Sequence, residues 1–254
     1  MEEKRQKNNE DESMDLKLTG IEKLGGVMTE NRRGGFQCIS IIGQIEGHYV
    51  LPDGQKATKY EHLLPLLVSV EEDDSVDGLL VLLNTMGGDV EAGLAIAEVI
   101  ASMKKPTVSL VLGGSHSIGV PLATAARRSL IVPTATMTLH PVRVSGTVIG
   151  VPQSFRYMSE MQKRIIRFIC AHSKADASML NSLMMRPDQI ATDCGSVLEA
   201  EETVKYGIID EVGGLDRALE ILRDLSSKKQ NYKNKNSSYS KKGGKNQRNQ
   251  KNYG

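Results

Sequence analysis

The stretch Leu112-Gly-Gly-Ser-His-Ser-Ile-Gly-Val-Pro-Leu-Ala123 sets two hydroxyls around one imidazole. Acyl transfer needs a nucleophilic hydroxyl, an imidazole to take its proton, an anion to orient that imidazole and two N–H donors for the oxyanion. Other parts of the chain offer these groups. His140 is followed by Pro141, which ends a normal strand ladder and favours an imidazole exposed at a strand end. Gly87-Gly88 has no Cβ to obstruct approach to a backbone N–H. Ser117 stands where a helix of small residues begins, so the next N–H, that of Ile118, has no partner within the helix. Each signal also has a structural reading. Ser115, His116 and Ser117 could cap a helix, a Gly-Gly pair could be a plain turn, and a histidine at a strand end is often structural. The chain has five histidines, His48, His62, His116, His140 and His172. Neither serine sits in a G-x-S-x-G elbow, so the α/β-hydrolase motif is absent.

The elements that must carry these groups follow from periodicity. Phe36–Ile45 reads as a strand rich in β-branched residues. Gly78–Asn84 is a continuous apolar run, as expected of a strand buried on both faces. Val90–Met103 reads as a helix with Leu94, Ala97, Ile100 and Ala101 on one face. Thr107–Leu112 reads as a buried strand, Ile118–Ala126 as a helix, and Arg128–Val132 and Ala135–His140 as short strands. Phe155–His172 reads as a long basic amphipathic helix with a stripe of Met158, Met161, Ile165, Ile166 and Ile169. Shorter helices are expected near Asp176–Met185 and Ala200–Tyr206. A strand at Ile208–Val212 and a last helix at Leu215–Leu225 complete the pattern. Alternating strands and helices predict an α/β fold of βαβ units, with reactive groups at the carboxyl ends of strands. Asn84–Asp89, Gly113–Gly119 and His140-Pro141 each fall just past a strand, so neighbouring strands would bring them to one rim.

Composition narrows the function classes. With 254 residues, 39% hydrophobic and 25% charged, the chain is long enough for one large domain with a sizeable core. Aromatics are 4% and tryptophan is absent, which argues against a base-stacking nucleic-acid surface. Three dispersed cysteines, Cys38, Cys170 and Cys194, form no C-x-x-C pair; reduced thiols and no zinc site are expected. The charged N-terminus has no secretory pattern, so a cytoplasmic location is expected. Thr107–Ala126 is uncharged and nearly long enough to span a bilayer, but its central Gly, Ser, His and Pro residues favour a buried strand, turn and helix. The net charge of +1 hides an asymmetry, because 226–254 carries eight Lys, one Arg and no acid. Such a tail is expected to be disordered. It serves either as a solubilising extension or as a contact to acidic surfaces such as lipid headgroups or nucleic acid. The expected organisation is a flexible segment over 1–35, a domain over 36–225 and the basic tail over 226–254.

Five ordered motifs resemble the ClpP family of serine peptidases. Asn84-Thr-Met-Gly-Gly-Asp-Val-Glu-Ala-Gly-Leu-Ala-Ile96 resembles its N-S-P-G-G-x-x-x-x-G-x-x-I segment. Gly113-Gly-Ser-His-Ser-Ile-Gly119 and the residues after it resemble its G-x-A-A-S-M-G nucleophile segment. Met137-Thr-Leu-His-Pro141 resembles M-I-H-Q-P, Gly43–His48 resembles G-Q-V-x-x-x, and Leu198–Val212 resembles L-S-A-x-E-A-x-x-Y-G-L-V-D. The resemblance implies a ClpP/crotonase-like spiral fold of repeated ββα units, with a protruding handle helix after His140. It implies Ser117 as nucleophile, His140 as general base, and Gly88 and Ile118 as oxyanion donors. It also implies peptide or protein substrates, no cofactor or metal, and a homo-oligomeric ring. The insert Leu51–Pro65 has no counterpart in ordinary members and is similar to that of a branch linked by name to preprotein translocation or signal-peptide turnover.

The chain departs from the family at three places. Where the family carries its orienting Asp, this chain has Gly195; the expected acid is Asp193, with Asp188 as the alternative. Met86 replaces a proline, and Asp89 directly follows the glycine pair, where an inward carboxylate would oppose an oxyanion. No apolar axial loop is evident near the N-terminus, which counts against docking to a hexameric AAA+ ATPase. Two rival readings stand beside the peptidase: a catalytically silent scaffold that binds protein partners, and a crotonase-type enzyme acting on acyl-CoA.

Overall fold

The computed structural model describes residues 27–29, 35–52, 54–144, 151–187 and 194–228. The long strand β4 (Val76–Gly88) organises the sheet. Its residues alternate between two faces: Leu79, Val81 and Leu83 join one core cluster, and Leu80 joins the other, as a period of two requires. On one side β4 pairs in parallel with β2 (Gly35–Glu46), and on the other with β5 (Thr107–Ser115). Beyond β5 come β6 (Arg128–Ile131) and β9 (Glu211–Val212), both parallel. At the far edge β1 (Val27–Thr29) runs antiparallel to β2, while β3 (Ala57–Lys59) pairs parallel with the end of β2. The end of β5 also touches β7 (Thr136–Leu139), which pairs antiparallel with β8 (Ser196–Glu199). This is a mixed α/β fold with a mostly parallel sheet.

Parallel neighbours need long crossovers, and the helices supply them. Helix α1 (Tyr60–Glu72) buries Leu63, Leu67 and Val70 at helical spacing. Helix α2 (Val90–Ser102) joins β4 to β5, and α3 (Gly119–Thr124) follows β5. Helix α4 (Pro152–His172) starts on a proline suited to a first turn. Then come α5 (Ala177–Met184), α6 (Ala200–Lys205) and a last helix, α7, over 215–228. The larger core cluster joins β2, β4 and β7 to α1–α6. The smaller one puts Ala218, Ile221 and Leu222 of α7 on Phe36, Leu80, Val108, Leu110 and Leu130. Both faces of the central strands are therefore covered, which explains their unbroken apolar runs.

Several boundaries differ from the sequence expectation. Strands β4 and β5 do not end before their glycine segments; they run on to Gly88 and Ser115. Register shifts at Gly43/Gln44 and between Leu83 and Thr85 let pairing continue. Helix α3 is shorter than expected, since Ile118 is its cap and Ala125 closes it. Helix α1 and strands β3 and β8 were not anticipated. Thr107–Ala126 is a strand and a short helix, and among the described residues no helix is long and apolar enough to cross a membrane. Most of the expected N-terminal segment and basic tail lies outside the described residues.

The smaller cluster makes a direct prediction. Leu222 is fully buried, and its Cδ1 lies 2.9 Å from where a Cβ on Gly78 would stand. Leu222→Ala is expected to lower the unfolding free energy by about 2–5 kcal/mol in urea titrations. A loss under about 1 kcal/mol would mean that α7 does not seal this face.

Candidate active site

The segment after β5 turns sharply. Ser117 has φ +56° and is the only non-glycine with positive φ among the described residues. A side chain in this left-handed region carries strain of order 1–3 kcal/mol and persists only where its surroundings enforce it. The enforcing contacts are visible. The His116 N–H donates to the Thr85 carbonyl on β4 (3.0 Å), and the Ser117 N–H donates to the Thr138 carbonyl on β7 (2.8 Å). The Gly119 and Val120 N–H groups close the turn onto the His116 and Ser117 carbonyls. The two serines separate cleanly. Ser115 is buried, and its hydroxyl donates to the Gly119 carbonyl at 2.6 Å. Ser117 is half-buried and lines a cleft of ≈ 120 Å³ together with Gly88 and His140. The Ile118 N–H finds no acceptor among the described residues.

The glycine pair packs under this turn. A Cβ on Gly87, at φ +91°, would stand 2.8 Å from both the His116 carbonyl oxygen and the Ser117 Cβ, and 3.4 Å from the Ile118 nitrogen. Only glycine allows that approach. Thr85, which sequence reasoning did not single out, holds the pair in place. Its buried hydroxyl donates to the Gly43 carbonyl at 2.6 Å and accepts the Gly87 N–H at 3.1 Å. With its carbonyl on His116, Thr85 ties β2, the glycine pair and the serine turn together. The signal for it was its place at the serine of the family's N-S-P-G-G segment. Asp89 does not point at an oxyanion. Its carboxylate accepts the Ala92 N–H at 2.8 Å and caps α2. Gly93, one turn on, lets α2 approach Ile118, whose Cγ1 lies 2.4 Å from where a Cβ on Gly93 would stand.

His140 follows β7 at the mouth of the same cleft. Its Nδ1 lies 2.7 Å from the Pro141 carbonyl oxygen. A carbonyl can only accept, so Nδ1 carries the proton and Nε2 is left as the basic nitrogen. Asp193 and Asp188 both lie outside the described residues. Gly195, at the family's Asp position, donates its N–H to the Arg186 carbonyl at 2.8 Å. Gly88, Ser117 and His140 are thus brought to one cleft, with Ile118 immediately beside the serine. His48 is in ring contact with Tyr60, and His172 stacks on Phe168, both away from this cleft. Among the described residues no group of three or more His, Cys, Asp or Glu could hold a metal ion.

His116 is the second imidazole near the serine. Its ring covers Gly114, where a Cβ would meet Nε2 at 2.3 Å, and its Nδ1 is buried with no hydrogen-bond partner. Burial, and then the charge of His140, hold its pKa below the ordinary histidine value. Nearby, Arg164 of α4 clasps Glu91 of α2 through bonds of 2.6 and 2.9 Å, which keeps the Glu91 carboxyl below its usual range.

Comparison with known proteins shows the family. Residues 33–215 match the family model described as Clp protease. The chain belongs to the Clp protease family. It is 50% identical to the translocation-enhancing protein TepA of Halalkalibacterium halodurans, over 83% of this chain and 82% of that protein. It is 24% identical to the ATP-dependent Clp protease proteolytic subunit of Lactococcus lactis, over 59% of this chain and 74% of that one. It is 29% identical to the ATP-dependent Clp protease proteolytic subunit 3 of a Synechococcus species, over the same shares.

The lowered pKa of the half-buried His116 has a consequence for stability. Above about pH 6.5 the residue is uncharged in both folded and unfolded chains. Below that, protons bind the unfolded chain first, so stability falls as pH drops toward the lowered folded value. Wild type is therefore expected to lose more stability between pH 7.5 and 5.5 than His116→Gln, read from urea midpoints. Equal losses would contradict the assignment.

Proposed function

We propose that this chain is a ClpP-type serine endopeptidase in which Ser117 is the nucleophile and His140 the general base. Ser117 Oγ attacks a peptide carbonyl while His140 Nε2 takes its proton and returns it to the leaving amine. The N–H groups of Gly88 and Ile118 receive the oxyanion, each contributing about 10²–10³ in rate. Water then hydrolyses the acyl-enzyme. Asp193 completes the triad by accepting the Nδ1–H hydrogen bond that the Pro141 carbonyl accepts here, which fixes the tautomer. The observation that carries this reading is the strained Ser117 backbone, held open into the cleft that His140 shares. No cofactor or metal takes part.

The rest of the proposal rests on family membership. Residues 36–225 form the ClpP/crotonase-like spiral, with the first half of α4 as its handle. Phe155 and Tyr157 are 72% and 61% exposed there, while the buried positions of that helix start at Ile165. We assign these aromatics to contacts between copies in a ring. The working location is the cytoplasm. The name of the TepA relative adds a link to preprotein translocation.

Ser117→Ala is expected to abolish covalent labelling by an alkyl fluorophosphonate while leaving the far-ultraviolet circular dichroism unchanged. Undiminished labelling in that variant would move the nucleophile elsewhere, and no labelling of wild type would favour a silent scaffold. The labelling rate of wild type is also expected to rise with pH through about 6.5, the range in which an ordinary imidazole becomes neutral. A flat profile from about pH 5 to 8 would count against His140 as the base.

A further inference from the structure

Gly87 and Gly88 sit at φ +91° and +151°, and without a Cβ the peptide between them can rotate at little cost. An oxyanion donor contributes fully only when its direction is set before the reaction. Two anchors bracket this peptide. On its far side the Asp89 N–H donates to the Ile45 carbonyl at 3.0 Å. On its near side the buried Gly87 N–H donates to the Thr85 hydroxyl at 3.1 Å. A hydroxyl has a single proton, and that of Thr85 goes to the Gly43 carbonyl at 2.6 Å, which leaves a lone pair for Gly87. Gly43 is fixed in turn, because the Lys56 carbonyl packs against it and accepts the next N–H, that of Gln44, at 3.0 Å. The backbone carbonyl of Thr85 accepts the His116 N–H, two residues before Ile118. Its methyl lies under the start of α3, with Cγ2 2.8 Å from where a Cβ on Gly119 would stand. Thr85 is thus bonded to both segments that supply N–H groups beside Ser117.

We infer that Thr85 is a positioning residue of the oxyanion hole, its hydroxyl holding the Gly87–Gly88 peptide so that the Gly88 N–H faces the carbonyl oxygen of the bond attacked by Ser117. Thr85 is buried and acts through Gly87, not on the substrate. The inference rests on the peptidase reading for the roles of Ser117 and Gly88. Valine has the shape of threonine and keeps the methyl under Gly119, but it has no hydroxyl. Thr85→Val leaves the Gly87 N–H without its acceptor and the Gly43 carbonyl without its donor. A buried N–H left unpaired is costly, and the soft glycine pair turns to find another acceptor. That rotation takes the Gly88 N–H out of line with the oxyanion.

The test uses the full chain and an alkyl fluorophosphonate, whose phosphoryl oxygen gains negative charge as the bond from Ser117 Oγ to phosphorus forms and fluoride leaves. Saturation kinetics separate the limiting labelling rate from the half-saturating concentration. Thr85→Val is expected to lower the limiting rate about 10- to 100-fold, less than the loss of a whole donor, while the half-saturating concentration stays within about twofold. The pH midpoint of labelling is expected to stay at the wild-type value, because the imidazole is untouched. Thr85→Ser keeps the hydroxyl and loses the methyl, so it is expected to recover most of the rate while melting at a lower temperature than wild type. A rate that follows the hydroxyl and not the melting temperature separates positioning from a merely structural role. If Thr85→Val does not fold, Thr85→Ala set against Thr85→Ser makes the same comparison. An unchanged limiting rate in Thr85→Val, a Thr85→Ser chain as slow as Thr85→Val, a displaced pH midpoint, or a loss confined to the half-saturating concentration would overturn the inference. Labelling of wild type with no loss in Thr85→Val removes only the role of Thr85, whereas no labelling of wild type removes the peptidase reading and this role with it.

Discussion

The site depends on one strained residue held between two strands. Ser117 adopts a left-handed backbone that a side chain ordinarily avoids. It stays there because β4 and β7 each accept a backbone hydrogen bond from the turn, through Thr85 and Thr138. If either strand moved, the turn would relax and the hydroxyl would swing away from the cleft. Site geometry is thus a property of the sheet, and the stability of the two core clusters is what maintains it.

Close packing does the rest. The turn can lie on β4 because residue 87 lacks a side chain, and α2 can lie beside Ile118 because residue 93 lacks one. The Asp89 cap starts α2 immediately after the glycine pair, so the strand end and the helix start form one rigid corner. The Glu91–Arg164 pair then links that corner to α4. Both side chains are 43–45% exposed, so the pair adds little stability. Its position still connects the helix assigned to inter-copy contacts with the end of the strand that carries Gly87 and Gly88.

The cleft brings a serine hydroxyl, an imidazole and aliphatic walls together in a small volume. One segment, His140 to Arg143, leaves β7 past the serine turn and lines the cleft.

Much of this was legible in the residues. The apolar runs of β4 and β5 marked buried parallel strands, the period of α2 marked a helix, and five ordered motifs named the family. Those signals are local, because alternation, capping and turn chemistry act within a few residues. Helix α1 was hidden by Pro65 and by an insert with no counterpart in ordinary members of the family. Strand β8 was hidden because four residues carry too little periodicity. From the serine segment alone, either hydroxyl could serve. Only the tertiary structure buried Ser115 on the Gly119 carbonyl and turned Ser117 outward. It also gave Thr85 its role and set Arg143 in the cleft. Those outcomes depend on contacts between segments tens of residues apart, and a short pattern along the chain holds no record of which surfaces will meet.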